Sequence, residues 1–475
     1  MKLFNLNGAR GAILGLLGLA TLATSFDASA IPVFARQTGF KCVACHVGGM
    51  FPQLTSLGRM FKLTGYTLGN RPNLTDLVVN QDFPPIAILV QGARQYYNTT
   101  TGGVNGTSPS SAFDVQVVSF FAGGKITDNV GAFMQWTGQK YSNAQSGSNV
   151  SFSSSASIDN TEFRYADRKV GPTSDLIYGA YINNRALMSD IYNNYGPWQS
   201  GWINYFNGGN AQAPTTYMMG ESSQHMEAGV GTYLFLDKTW YAEVAIHKTI
   251  EHGPLSVITA GAGPAGDGTA SVIDPSPYVR LAYNKEWGAN SFELGLHGRY
   301  SYVHGINAVT NASDPAAPVS SYHDTGLDAQ YQYVLDPHYF SAHARVTREY
   351  MNNLTGGQLN FQGLAASNAS DNLTEAYADA IYIYEAKYGF QLMFQNVTGS
   401  ADAGLYGMTT SGSPNWTAWT PHIFWAPWQN VRVGYMYTDY TMMGGVTSGN
   451  GLTFNNAKYS PQNFNTSMLY IGMLY

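Results

Sequence analysis

Cys42-Val-Ala-Cys45-His46 is the stretch whose residue types and spacing could do chemistry, and it holds the only two cysteines of the chain. Two thiols separated by two residues can add to the two vinyl groups of one haem. The imidazole that follows then sits under the iron as proximal ligand. A disulfide here would close too small a loop to organise much. A zinc site would need more ligands than one nearby histidine supplies, and there is no second cysteine pair. The motif therefore predicts one covalently bound haem c on Cys42, Cys45 and His46.

The surrounding charge is one-sided. From Ile31 to Thr75 the chain carries Arg36, Lys41, Arg59, Lys62 and Arg71 and no acidic residue. Haem brings two carboxylates that need cationic partners when buried, which makes Arg36, Arg59 and Lys62 candidates. Positive charge near the iron also favours its reduced form. The same residues could instead keep the N-terminus soluble or dock a partner. Met60 is the candidate distal iron ligand. Met50 would share the His46 face of a continuing helix, and His247, His297, His343 or an open position remain alternatives.

The elements that must position this motif are unusual. Of 475 residues only 11% are charged, while 14% are aromatic, with 33 Tyr. Soluble chains carry about 25% charge. Low charge and many tyrosines suit a lipid-facing surface with aromatic girdles. With 24 basic and 30 acidic residues, nucleic-acid binding has no electrostatic support. Lys2 and Arg10, an apolar run from Ala12 to Ala23, and Ala28-Ser29-Ala30 form a signal peptide over residues 1–30. The apolar run falls short of the roughly 20 residues a helical span needs. An exported chain of this composition without a helical span leaves a closed β-barrel as its membrane solution.

Period-two alternation supports that expectation from residue 86 onward. Leu327, Ala329, Tyr331 and Tyr333 alternate with Asp328, Gln330 and Gln332. Trp240, Ala242, Val244 and Ile246 alternate with Tyr241, Glu243 and His247. Val431, Val433 and Tyr435 flank Arg432 in the same way. Strands are expected at 86–97, 112–124, 129–141, 156–168, 174–184, 224–236, 239–249, 277–286, 290–303, 323–335, 338–350, 375–387, 389–399, 416–425, 430–440 and 465–475. Links after even-numbered strands are short ("ITDN", "KVGPTS", "DKT", "KEWGAN", "LDPH", "YG", "APWQN"), and the others are long and polar. Such alternation is that of outer-membrane barrels, with short turns at the periplasm. The expected class is all-β, an outer-membrane antiparallel barrel of about sixteen strands over 86–475. The segment 31–85 is too small for a large core, and a covalent haem would staple it. It is expected to plug the lumen, with Pro84-Pro85 breaking the chain before the first strand.

"FARQTGFKCVACH", "FPQL" and "LGRMFKLTGY", in that order between Phe34 and Tyr66, resemble the N-terminal signature of the fused monohaem cytochrome–porins. These are the outer-membrane iron-oxidising cytochromes of iron-oxidising bacteria. Cys42, Cys45 and His46 match the haem motif, and Phe34, Arg36, Gly58, Phe61, Gly65 and Tyr66 match signature positions. The resemblance implies a one-electron oxidoreductase, not a hydrolase or transferase, that takes electrons from extracellular Fe(II). It would pass them through one haem in the barrel to a periplasmic cytochrome c or copper protein. Two other readings compete: a diffusion porin with a structural haem segment, and an outer-membrane cytochrome for another donor or acceptor. The long loops show no carboxylate cluster with metal-ligand spacing, and the Asp274 and Asp314 stretches read as turns.

Overall fold

The computed structural model describes residues 32–49, 52–69, 85–97, 113–143, 151–194, 227–250, 253–259, 271–272, 275–304, 306–307, 312–313, 319–354, 366–406, 411–454 and 457–475. The expected signal peptide, Met50, Arg71, Pro84, Asp274 and Asp314 lie outside them.

Sixteen long strands carry the fold among the described residues. They are β1 (Ile86–Tyr97), β2 (Asp114–Lys125), β3 (Val130–Asn143), β4 (Ser151–Val170), β5 (Asp175–Asn183), β6 (Glu227–Leu236), β7 (Trp240–Thr249) and β8 (Ser276–Trp287). β9 (Asn290–His304), β10 (Val319–Leu335), β11 (His338–Asn352), β12 (Ser370–Tyr384), β13 (Tyr388–Gly399), β14 (Trp416–Trp428), β15 (Val431–Met442) and β16 (Thr466–Leu474) complete the set. Each pairs antiparallel with its sequence neighbours, and a two-residue strand, Ser271–Val272, adds to the end of β9. β1 also pairs with β16, Leu89 opposite Leu474 and Tyr97 opposite Thr466, so the sheet closes on itself. Closure leaves no edge of unpaired backbone groups to meet lipid.

Alternation sorts the side chains as expected. Leu327 is 57% exposed, whereas its neighbour Asp328 is 2% exposed. Leu281, Leu296, Leu327 and Val346 lie side by side across β8 to β11 and form part of an outward apolar band. Aromatic residues rim the band near the short links: Trp240 packs on Tyr283 at 5.2 Å, and Tyr384, Tyr388, Trp425 and Trp428 are exposed. An apolar band flanked by aromatics on a closed barrel is the outer-membrane solution, and the protein is an outer-membrane barrel. No described helix is long and apolar enough to cross a membrane.

Several boundaries differ from the expected ones, for instance at the starts of β4, β10 and β12, and two differ for local reasons. β12 ends at Tyr384, and the link is 385–387 rather than the later "YG", which opens β13. Glu385 and Ala386 adopt φ of 53° and 54° there, a left-handed pair made without glycine or asparagine. Asp237 and Lys238 turn the β6–β7 link in the same way, at 52° and 55°. β14 runs on to Trp428 with a register shift between Trp425 and Trp428, where Pro427 cannot donate to the ladder.

Depth decides the cost of charge on the outer face. Leu296, mid-strand and 46% exposed, should lose about 2–4 kcal/mol of stability as Leu296→Arg. Tyr384 closes its strand at the rim, so Tyr384→Arg should cost only about 0–1 kcal/mol. Urea unfolding of the two variants in lipid vesicles measures the difference, and equal costs would contradict this placement of the band.

Candidate haem-attachment site

Three short helices precede the barrel: α1 (Pro32–Thr38), α2 (Cys42–Cys45) and α3 (Ser56–Leu63). α2 is a single turn, and His46 closes it by donating its backbone N–H to the Cys42 carbonyl at 2.8 Å. The three-residue spacing brings both cysteines to one helix face. They are not bridged to each other.

The turn is stitched to α3 through backbone. Gly48 and Gly49 reverse the chain at φ 58° and 76°, and His46 then pairs antiparallel with Leu54. Val47 donates to the Gln53 carbonyl at 3.0 Å, and Thr55 to the Cys45 carbonyl at 3.0 Å. The Thr55 hydroxyl accepts the Gly58 N–H at 3.2 Å and so caps α3. A Cβ on Gly58 would lie 2.1 Å from the Cys45 carbonyl oxygen, so only glycine lets α3 approach this closely. That gives Gly58 a physical role.

Burial pushes the His46 imidazole down to about 4; the Gln53 carbonyl opposes this and Arg432 adds to it. The ring is therefore neutral near pH 7, the form that ligates a metal. Burial pushes the Cys45 thiol up to about 11. Two unbridged sulfurs on one turn, followed by a neutral, partly buried imidazole, are a donor set that suits a c-type haem.

The motif touches the end of the barrel that carries the short links. Cys42 Sγ lies 4.0 Å from the carbonyl of Gln429, in the β14–β15 link. Val47 packs with Tyr339, Ile381, Ile383, Phe424 and Ala426. Elsewhere in the segment Phe34 packs on Phe61 at 4.9 Å and on Phe133 of β3 at 6.1 Å, and Arg36 donates to the Ile86 carbonyl of β1.

The other basic candidates are bound by protein acceptors. Arg59 is 4% exposed and donates to the Leu54 carbonyl at 3.0 Å, Gln332 at 2.8 Å and Glu286 at 3.1 Å. Lys62 donates to the Asp190 carbonyl at 2.6 Å, and burial pushes its ammonium down to about 8. The lumen carboxylates Asp328, Glu293 and Asp379 have partners of their own. Arg280 and Asn194 hold Asp328 and Glu293, and His343 and Gln391 hold Asp379. Met60 packs against a cluster built around Ile177, Tyr181, Tyr233 and Tyr241, which does not include the motif. His247 meets Asn183 at 3.1 Å, and His297 lies 3.7 Å from Asp328.

Two features escaped the sequence. After β5 the chain at 184–194 turns inward: Asp190 is 0% exposed, Asn193 donates to the Pro52 carbonyl at 2.8 Å, and Ser189 accepts from Arg164 at 3.1 Å. It reads in sequence as one more polar link. Arg432 stood out only as an inward phase of β15, although a lone charge beside a short link was a usable signal.

No protein-family model matches the chain, and no curated protein sequence matches it. Among solved structures, it is similar to the outer-membrane protein OmpT of Vibrio cholerae, at 11% identity and TM-score 0.39 over 82% of this chain and 97% of that one. The outer membrane channel DcaP of Acinetobacter baumannii gives 10%, 0.42, 82% and 96%. Salmonella typhi OmpF in complex with daunomycin gives 11%, 0.39, 82% and 97%.

The α2–α3 contact makes a direct prediction. Gly58→Ala should destabilise the packing of the N-terminal segment by about 1–3 kcal/mol, because the added methyl meets backbone that cannot rotate away. Hydrogen exchange should show faster exchange at the Val47 and Thr55 amides with the barrel strands unchanged. Unchanged exchange at those amides would count against the close approach.

Proposed function

We propose that this outer-membrane barrel is an electron-transfer protein of the fused monohaem cytochrome–porin kind, with the N-terminal segment lodged in its lumen. The observation that carries this reading is the Cys42–His46 turn, held against α3 and the β14–β15 link. A c-type haem bound there supplies reversible one-electron transfer. Cys42 and Cys45 offer their sulfurs from one face, and His46 offers a neutral ring whose backbone is fixed by Cys42 and Leu54. Thr55 and Gly58 hold α3 against the turn.

The lumen side chains support an occluded pore. Charged groups such as Arg164, Glu162 and Arg280 are buried, where a water-filled channel would leave them exposed. Arg164 bridges the end of α3 and the inward loop through the carbonyls of Lys62 and Ser189. Tyr66 donates to Glu162 at 2.8 Å and Tyr233 to the Leu63 carbonyl at 2.6 Å, tying the segment to β4 and β6. On this reading the short-link end faces a periplasmic cytochrome c or copper protein, and Fe(II) donates from the side of the long loops.

A second reading has its own support. A closed barrel of sixteen strands is by itself the architecture of a diffusion porin, and the N-terminal segment would then be structural.

Purified full-length protein separates the two. The electron-transfer reading expects haem to stay with the denatured chain, to be lost from Cys42→Ser and Cys45→Ser variants, and to be reduced rapidly on anaerobic mixing with Fe(II). It also expects little ion conductance in planar bilayers. Porin-like conductance with no haem retained would hand the assignment to the porin reading.

A further inference from the structure

The cations first associated with a haem are engaged elsewhere: Arg59 by Glu286 and the Gln330–Gln332 edge, Lys62 by the inward loop, and Arg36 by Ile86. A different cation stands beside the motif. β15 starts one residue after the link whose Gln429 carbonyl touches Cys42, and its second residue is Arg432. The Arg432 guanidinium carbon lies 4.8 Å from the centre of the Phe424 ring. Phe424 belongs to the same buried cluster as Val47, the residue after His46. Arg432 is also within hydrogen-bonding reach of the Tyr470 hydroxyl, which meets His422 Nε2 at 2.8 Å, and His422 Nδ1 meets Gln391 at 3.2 Å. The Phe424 ring and the Tyr470 phenol are neutral groups that orient the guanidinium.

From this geometry we infer that Arg432, a residue of the barrel wall, is the positioning cation that raises the reduction potential of a haem held by Cys42, Cys45 and His46. The inference rests on the haem reading above. A fixed positive charge close to the iron opposes the additional charge of the ferric state, and the effect is large where water is excluded. It also ties the potential to folding: the cation and the ligands come from opposite ends of the chain and meet only once β14 and β15 are in place. The barrel would then act as more than a container, because it would set how readily the haem accepts an electron.

The test is a spectropotentiometric titration of full-length, haem-loaded protein in detergent. Arg432→Met keeps an apolar stem over Phe424 and removes the charge. At the wild-type midpoint, its ratio of reduced to oxidised haem should fall about tenfold, as expected for losing one nearby charge. Arg432→Lys should stay within about twofold of wild type, because charge and not shape sets the effect. A Met variant with wild-type haem content and an unchanged midpoint overturns the proposal, as do equal shifts in the Met and Lys variants. Arg432→Gln serves as a second neutral variant. If both neutral variants fail to load haem while Arg432→Lys loads, Arg432 acts in assembly and the proposal falls. Wild-type protein without covalent haem would remove the underlying reading instead, and haem staining of denatured protein tells that outcome apart.

Discussion

Lipid offers no hydrogen-bond partners, and everything else in this molecule depends on that constraint. A strand crossing the bilayer must give every N–H and C=O to a neighbouring strand, so the sheet has to close. Here β1 meets β16 over a continuous run, from Leu89 with Leu474 to Tyr97 with Thr466. Closure with sixteen strands makes a wide interior. The inward phase of each strand then carries the polar residues that the lipid face excludes. Those groups are costly to bury unless they are paired.

The interior meets that demand with protein. Arg280 is shared between Asp328 and Glu293, and Asn194 from the inward loop reaches the same two carboxylates at 2.6 and 2.8 Å. Removing one member of such a buried set typically costs about 3–5 kcal/mol, because the others lose their compensation. α3 enters the same network through Arg59 and Lys62, and Arg164 joins its last turn to the loop. The N-terminal segment, the inward loop and the wall therefore order one another.

This arrangement also places the chemistry. The Cys42–His46 turn lies at the short-link end, beside Gln429, so it is close to the compartment those links face. On the proposed electron-transfer reading, an electron arriving from the long-loop side would have to cross most of an apolar band about 25 Å tall. A haem on the motif would then shorten the path on the periplasmic side, with the remainder through the packed interior.

Much of the fold was legible because its rules are local. Alternation such as Leu327-Asp328-Ala329-Gln330 depends only on strand geometry, and short against long links follow from where the chain reverses. The Cys42-Val-Ala-Cys45-His46 spacing likewise contains its own chemistry, since one helical turn presents both sulfurs together. The reversal at Glu385–Ala386 was not legible, because neither residue type signals a left-handed turn. Nor were the partners of Arg59 and Lys62, the inward path of 184–194, the closeness that reserves position 58 for glycine, or the approach of Arg432 to the motif. Arg59 meets Gln332, and Gln429 meets Cys42, across hundreds of residues. By itself the sequence determined the strands, their lipid-facing phase and the haem-type motif, through patterns carried by neighbouring residues. Only the tertiary structure decided which charges meet inside the barrel, because barrel closure brings together residues that no local pattern relates.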